Sequence, residues 1–394
     1  MFALCLAVTG LKLALASVWG ETADIANTLK QARGFLAGGD LLDAQVTGGA
    51  PSFFPLGNYL LAAWCYQVSE WSGLPFRWLV KVPAILADLG IALALRFAVK
   101  SDWKIALLYL CNPVSFLLAV YHGQFHTVAT AGVVFALGAA QRSRGGWAGW
   151  WLGCAASIRQ HFAALIVPLV KAASPRRAKT LLGFAAMAFV LIGPLLIQSA
   201  QPTRLLKPQL IFGAWGYSLV LLQAPRVLAL LGWDGFSDWS ASIHGVLQTY
   251  SHLPYAVWTV VFWVWTWRRR EVDLWVAALL FVLGLYAVSP GIGVQWLIWA
   301  VPFWLVVNRS RAIRYSLLAG GFLAGSYWQW SLNAKYGVVS ITANMSLLSA
   351  GDLIGVLGVG LTGFLTWLYC AKSALEISGT GFAMMGHRTY RDAG

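Results

Sequence analysis

Charge is what this sequence has least of. Only 11% of its 394 residues are charged, and 14 acidic side chains stand against 28 lysines and arginines. A soluble domain carries about 25% charged residues, so this scarcity excludes an ordinary water-facing surface. Cysteine is scarce too. Cys5, Cys65, Cys111, Cys154 and Cys370 all lie in apolar runs without paired spacing, which argues against a disulfide framework or a zinc site. The apolar runs lack the polar–apolar alternation of a membrane barrel. Matched broken helices in two halves, a mark of many secondary transporters, are missing as well. The first residues lack the basic charge of a cleaved leader, and Lys12 interrupts the apolar stretch, so Met1 to Gly20 is read as a retained span.

What remains is apolar: 59% of residues are hydrophobic and the mean hydropathy is +0.68. That exceeds what one soluble core buries, and the successive runs approach the roughly 20 residues that cross a bilayer as helix. The expected class is an all-α, multi-pass membrane protein. The net charge of +14 does not point to nucleic acid, because the basic residues fall in short bursts between apolar runs, as cytoplasmic loops would.

Asking each crossing to switch sides between basic bursts yields about twelve spans with both ends cytoplasmic. They run Phe2–Gly20, Trp78–Val99, Ile105–Val120, Thr127–Ala140, Trp147–Ile158, Phe162–Val170, Leu181–Ile197, Tyr255–Trp267, Leu274–Val288, Trp296–Val307, Tyr315–Ser331 and Leu353–Ala371. The first outer loop, 21–76, is expected to hold two interfacial helices. Its first has Ile25, Leu29, Ala32 and Leu36 on one face, with Lys30, Gln31 and Arg33 elsewhere. The fifth and sixth spans are short and read as a broken hairpin with Arg159 at its tip, which is tolerated only where protein or water satisfies it. A module 1–200 would be followed by a second, 201–394, with a long outer loop 198–253.

The polar interval Glu21 to Phe54 carries Asp24, Asp40 and Asp43 just beyond the first span. Asp24 fits equally well as a general base on a hydroxyl and as a helix cap. Arg159 in a low-dielectric place suits a phosphate or a structural ion pair. His122, His126 and His161 fall on one side; His122 and His126 stand four apart but without an accompanying His-Glu pair, so interfacial hydrogen bonding outweighs metal binding. Trp215 and Tyr217, in the long outer loop, fit an interfacial aromatic belt better than stacking on a sugar ring, which is the alternative. Lys12 and Asp88 are expected to form a buried ion pair, with a proton relay as the alternative.

Several stretches occur together in one order: Asp24-Ile25 with Ala32 to Gly38 and Phe54-Pro55-Leu56; Lys81 to Asp88 with Leu89; Cys111-Asn112-Pro113 with Tyr121 to His126; Ser157-Ile158-Arg159-Gln160 with Pro168; and Gln295-Trp296-Leu297 with Pro302. The set resembles the GT-C superfamily of polytopic glycosyltransferases, which draw sugars from polyprenyl-phosphate carriers. The likeness covers most of the first 200 residues and thins afterwards. His126 stands where relatives have aspartate, and Gly293-Val294 where they have His-Glu.

The resemblance implies an inverting hexosyltransferase of mannosyltransferase-like type, acting as a monomer without a metal or other cofactor on the periplasmic face of a bacterial inner membrane. Its donor would be a polyprenyl-phosphate-linked sugar, its acceptor a lipid-linked or other glycan, with membrane lipids around it and no nucleic acid. Asp24 would be the catalytic base. Substrate contacts would come from Lys81, His122, Gln124, His126, Arg159, Gln160, His161, Arg204, Lys207, Trp215, Tyr217 and Gln295. A flippase of lipid-linked saccharide, or a polymerase of lipid-linked oligosaccharides, would use a similar cationic cavity.

Overall fold

A computed structural model describes residues 1–20, 22–43, 54–97, 102–173, 176–199, 252–336 and 350–379, with isolated positions between 216 and 250. Every regular element among them is helical. Contacts divide the chain into two compact units. The first comprises Met1–Lys207, Trp263–Ala278 and Ile298–Asn308; the second comprises Pro208–Phe262, Leu279–Leu297 and Arg309–Gly394.

The first unit opens with α1 (Phe2–Val18) and α2 (Ala23–Leu36), which meet at 86°. Thr22 sets the bend: its hydroxyl accepts the Ile25 N–H at 3.3 Å and so supplies the cap at the start of α2. Asp24, in the first turn, is thereby spared that duty. The buried face of α2 takes in only part of the expected apolar face. Ile25, Thr28, Gln31 and Ala32 are buried while Leu36 is exposed, so polar Thr28 and Gln31 turn toward protein and apolar Leu36 turns away.

Next come α3 (Leu56–Ser72), stopped by Gly73 in the left-handed region at φ +72°, α4 (Phe76–Leu79) and α5 (Val82–Phe97). Lys12 on α1 meets Asp88 on α5 at 2.6 Å with both side chains fully buried. Ser115 donates to Asp88 at 2.7 Å and Tyr109 donates at 2.9 Å, so the pair expected from sequence sits inside a satisfied polar network. Such pairs fix helix register at a desolvation cost that extra hydrogen bonds offset.

The expected single span Ile105–Val120 is instead a bent pair. α6 (Trp103–Leu110) and the stretch Pro113–His122 meet at 48°. Pro113 cannot continue the hydrogen-bond ladder, and the Asn112 side chain accepts the Val114 N–H at 2.9 Å to start a new helix. That helix, α7 (Pro113–Phe116), widens into a π-helical turn, Leu117–His122, ending at Gly123 with φ +73°.

Helices α8 (His126–Gln141), α9 (Gly145–Ala156), α10 (Ile166–Ala172) and α11 (Arg177–Gln198) follow, with a 3₁₀ turn over Gln160–Leu165. The break between α9 and that turn falls at 157–159 and meets the expected tip at Arg159. Against α11, Gly145, Gly149 and Gly153 form a seam so close that a Cβ on Gly149 would enter the backbone of Thr180 and Phe184. Small residues four apart let membrane helices approach in this way. The unit also includes part of α12 (His252–Arg268), the start of α13 (Leu274–Val288), the end of a 3₁₀ turn over Val294–Ala300, and α14 (Val301–Val307).

In the second unit, α15 (Arg309–Tyr336) and α16 (Ala350–Gly379) pack antiparallel. Arg311 pairs with Glu376 at 2.6 Å, and Phe322 lies where a Cβ on Gly363 would fall, 2.8 Å away. Tyr315 donates to the Leu297 carbonyl at 2.6 Å.

Among the described residues, Phe76–Phe97 and Arg177–Ile197 are each long and apolar enough to cross a membrane, and two bent pairs raise the candidates to four. The chain is therefore all-helical and of membrane type, and among the described residues two to four of the twelve expected crossings meet this test of length and composition. Several expected spans appear as short apolar helices: His126–Gln141, Gln160–Ala172, Leu274–Val288 and Val294–Val307.

Candidate functional site

Asp24, Arg159 and Gln124 converge in the first unit on a narrow cleft, together with Asn27, Thr28, Gln31, Phe54, Asn58 and Phe125. The cleft has room for about one water molecule as it stands.

One wall is the start of α2. Asp24 Oδ2 lies 2.9 Å from His122 Nε2, and the carboxylate keeps 35% of its side-chain surface accessible while the imidazole keeps 2%. The π-helical turn carries His122 to that point; such turns often mark functional sites. Gly123 closes the turn, and any Cβ there would press on Ile25 and Lys81 at 3.1 Å in a strained backbone conformation. Thr22 ties the two segments by donating to the His122 carbonyl at 3.2 Å. Burial pushes the Asp24 pKa up, but the attraction and hydrogen bond of His122, with Arg159 and Gln124 behind them, outweigh it and hold the carboxyl below its usual range. Asp24 is therefore ionised at neutral pH.

The opposite wall is the break after α9. Arg159 is buried there with its guanidinium fully engaged on one edge. Nη1 donates to Asn58 Oδ1 and to the Ile158 carbonyl, both at 2.7 Å, and the group stacks over Phe54 at 4.8 Å. Nε lies 3.2 and 3.4 Å from the two ring nitrogens of His126. Distances so nearly equal place it over the imidazole face, which lets Nε2–H donate to Gln124 Oε1 at 2.9 Å. Asn58 in turn donates to Gln31 at 3.3 Å. Gly57 lets α3 seat against this break, since a Cβ there would lie 2.6 Å from the Ser157 hydroxyl.

Asp24 and Arg159 share the cleft without touching, as no nitrogen of Arg159 comes within 4.0 Å of the carboxylate. Among the described residues, Arg159 Nη2 has no hydrogen-bond partner. An anion and a cation thus face one space from fixed positions. That is the arrangement a group-transfer site needs when a proton leaves at one end and negative charge develops at the other.

Lys81 and His161, also singled out from sequence, do not line the cleft. Lys81 is fully buried, and its ammonium caps the end of α1 by donating to the carbonyls of Ala16, Trp19 and Gly20 at 3.3, 3.0 and 3.4 Å. That occupation explains its presence without a substrate. His161 is buried behind the cleft against Trp299, 5.8 Å between ring centres, and His126 meets the same tryptophan at 5.6 Å. Gln160 is half-buried at the start of the 3₁₀ turn. Gln295 and Tyr217 belong to the second unit. Arg204, Lys207 and Trp215 lie outside the described residues. No group of three histidine, cysteine or acidic side chains converges as metal ligands would, among the described residues.

The chain matches no protein-family model, and no curated protein is significantly similar to it. Function must therefore be argued from the cleft itself. Sequence reasoning assigned no site role to Asn58, Gln31 or Trp299, and met Phe54 only as part of a motif. Asn58 carried a signal, as a polar residue in an otherwise apolar helix start; the others acquire their place only through tertiary packing.

Proposed function

We propose that this chain is a GT-C-type inverting glycosyltransferase that moves a monosaccharide from a polyprenyl-phosphate carrier to a lipid-linked or other glycan acceptor. The observation that carries the reading is the separation of Asp24 from Arg159 across one cleft beside the end of α1. In this account the acceptor hydroxyl oxygen attacks the anomeric carbon and its proton passes to Asp24. A new carbon–oxygen bond forms as the bond from the anomeric carbon to the phosphate oxygen breaks. The phosphate leaves with the bonding electrons, and Nη2 of Arg159 stabilises its charge. Attack opposite the leaving group inverts the anomeric centre.

His122 holds the carboxylate in line, and Asn58, Phe54 and His126 hold the guanidinium. The narrow cleft must widen to admit a sugar. The reading further assigns the chain about twelve crossings in a bacterial inner membrane, with the cleft on the non-cytoplasmic face. The donor sugar is proposed to be mannose-like.

The test is release of polyprenyl phosphate by purified protein in lipid nanodiscs, supplied with a panel of polyprenyl-phosphate monosaccharides and a membrane glycolipid extract. Donor-dependent release with formation of the inverted glycoside supports the reading. Movement of intact donor across a vesicle membrane, without release, would instead identify a flippase.

A further inference from the structure

We propose that the groove between the amino end of α15 and the carboxyl end of α16 binds an anionic glycerophospholipid by its phosphate. This inference goes beyond the glycosyltransferase reading and does not depend on Asp24. The groove has a volume of about 590 Å³ and lies between Arg311, Arg314, Leu317 and Leu318 on one helix and Tyr369 and Lys372 on the other.

Its charge is unbalanced. Glu376, the acidic residue in the lining, is held by Arg311 at 2.6 Å. Arg314 and Lys372 make no ion pair among the described residues, although both are exposed. Among the described residues, two cations without an ion-pair partner therefore flank the groove, while the dipoles of the amino end of α15 and the carboxyl end of α16 oppose one another there. Ser373, also in the lining, brings a hydroxyl to the same place.

Polarity changes along the groove. One turn further along α15, Leu317 is 66% exposed, and on the outward faces Ile313, Leu365, Leu368 and Leu375 are exposed as well. An ion from solution would make no use of that apolar surface, whereas an acyl chain would cover it. A basic pocket between helices beside exposed leucines suits the head and tail of one lipid. A zwitterionic headgroup would bring its own cation among Arg311, Arg314 and Lys372, so an anionic one is preferred.

The experiment is native mass spectrometry of the full chain in detergent, titrated separately with phosphatidylglycerol, phosphatidylcholine and inorganic phosphate. Wild type is expected to bind phosphatidylglycerol at least several-fold more tightly than phosphatidylcholine. Each cation contributes roughly a fivefold factor, so Arg314→Gln with Lys372→Gln should weaken phosphatidylglycerol binding by roughly 25-fold. The exchange Arg314→Lys with Lys372→Arg, which preserves charge, should restore it. Three results would overturn the proposal: equal binding by the glutamine variant, equal binding of both lipids, or displacement of the lipid by inorganic phosphate at comparable concentration. If the glutamine variant does not fold, failure of wild type to discriminate between the two lipids still sinks the proposal.

Discussion

Asp24 Oδ2 rests 2.9 Å from His122 Nε2, a contact between two segments 98 residues apart, and Gly123 in the left-handed region closes the turn that carries His122. The contact makes His122 a positioning residue for the carboxylate. Burial alone would raise the Asp24 pKa, and His122 is the leading influence that lowers it instead.

The pH profile should report this balance. In wild type the acid limb of kcat/KM is expected below the ordinary carboxylate value of about 4. His122→Phe removes the leading stabiliser of the charged form and leaves burial in control, so the limb should move up in pH. By linkage, the lowered pKa in the folded state stabilises the protein above the unfolded carboxylate pKa, and this contribution disappears as pH falls through the folded value. His122→Phe should therefore show less loss of stability on acidification than wild type. Rate profiles and thermal unfolding between pH 3 and 7 would measure both, and an unmoved limb would remove His122 from the account.

Gly123→Ala adds a methyl at φ +73° that meets Ile25 and Lys81 at 3.1 Å. A destabilisation of about 1–2 kcal/mol is expected from the backbone alone, measured by thermal unfolding. Turnover should fall further than stability explains, because His122 and Asp24 lose alignment.

Arg159→Lys keeps a positive charge but cannot donate to Asn58 and the Ile158 carbonyl while stacking on Phe54 and His126. Steady-state kinetics should show kcat/KM for the donor reduced by about tenfold or more, equivalent to at least 1.4 kcal/mol of transition-state stabilisation. Retention of wild-type kinetics would mean that only the charge matters.

Lys12 and Asp88 allow a separate test of the scaffold. Asp88→Asn or Lys12→Met alone should cost about 3–5 kcal/mol by leaving a buried charge unpaired, while the double replacement should recover much of that loss. A thermal-unfolding cycle reads the coupling, and additive losses would show that the pair is not acting as a unit.

Parts of this arrangement were legible in the sequence for identifiable reasons. Two opposite charges in separate apolar helices have few ways to be satisfied except by each other, so Lys12 and Asp88 could be paired without coordinates. Arg159 could be placed at a break because a basic burst on the wrong side forbade a simple crossing. The buried face of α2 was not legible in its apolar stripe, because in a membrane Leu36 is at ease outside while Thr28 and Gln31 need the interior. The bend at Asn112-Pro113 had a plain local signal, a capping residue before a proline. The glycine seam of α9 was likewise present at a spacing of four, yet its partner, the backbone around Thr180, is defined only by packing. Lys81 matched a motif but serves the last carbonyls of α1, a role no local pattern announces.

The most direct measurement compares donor binding and turnover in Asp24→Asn. The substitution keeps size and hydrogen-bonding capacity while removing the proton acceptor. The account predicts donor affinity within a few-fold of wild type and polyprenyl phosphate release reduced by about 10²–10⁴-fold, the range general base catalysis supplies. Release at the wild-type rate by a folded Asp24→Asn protein would contradict the account.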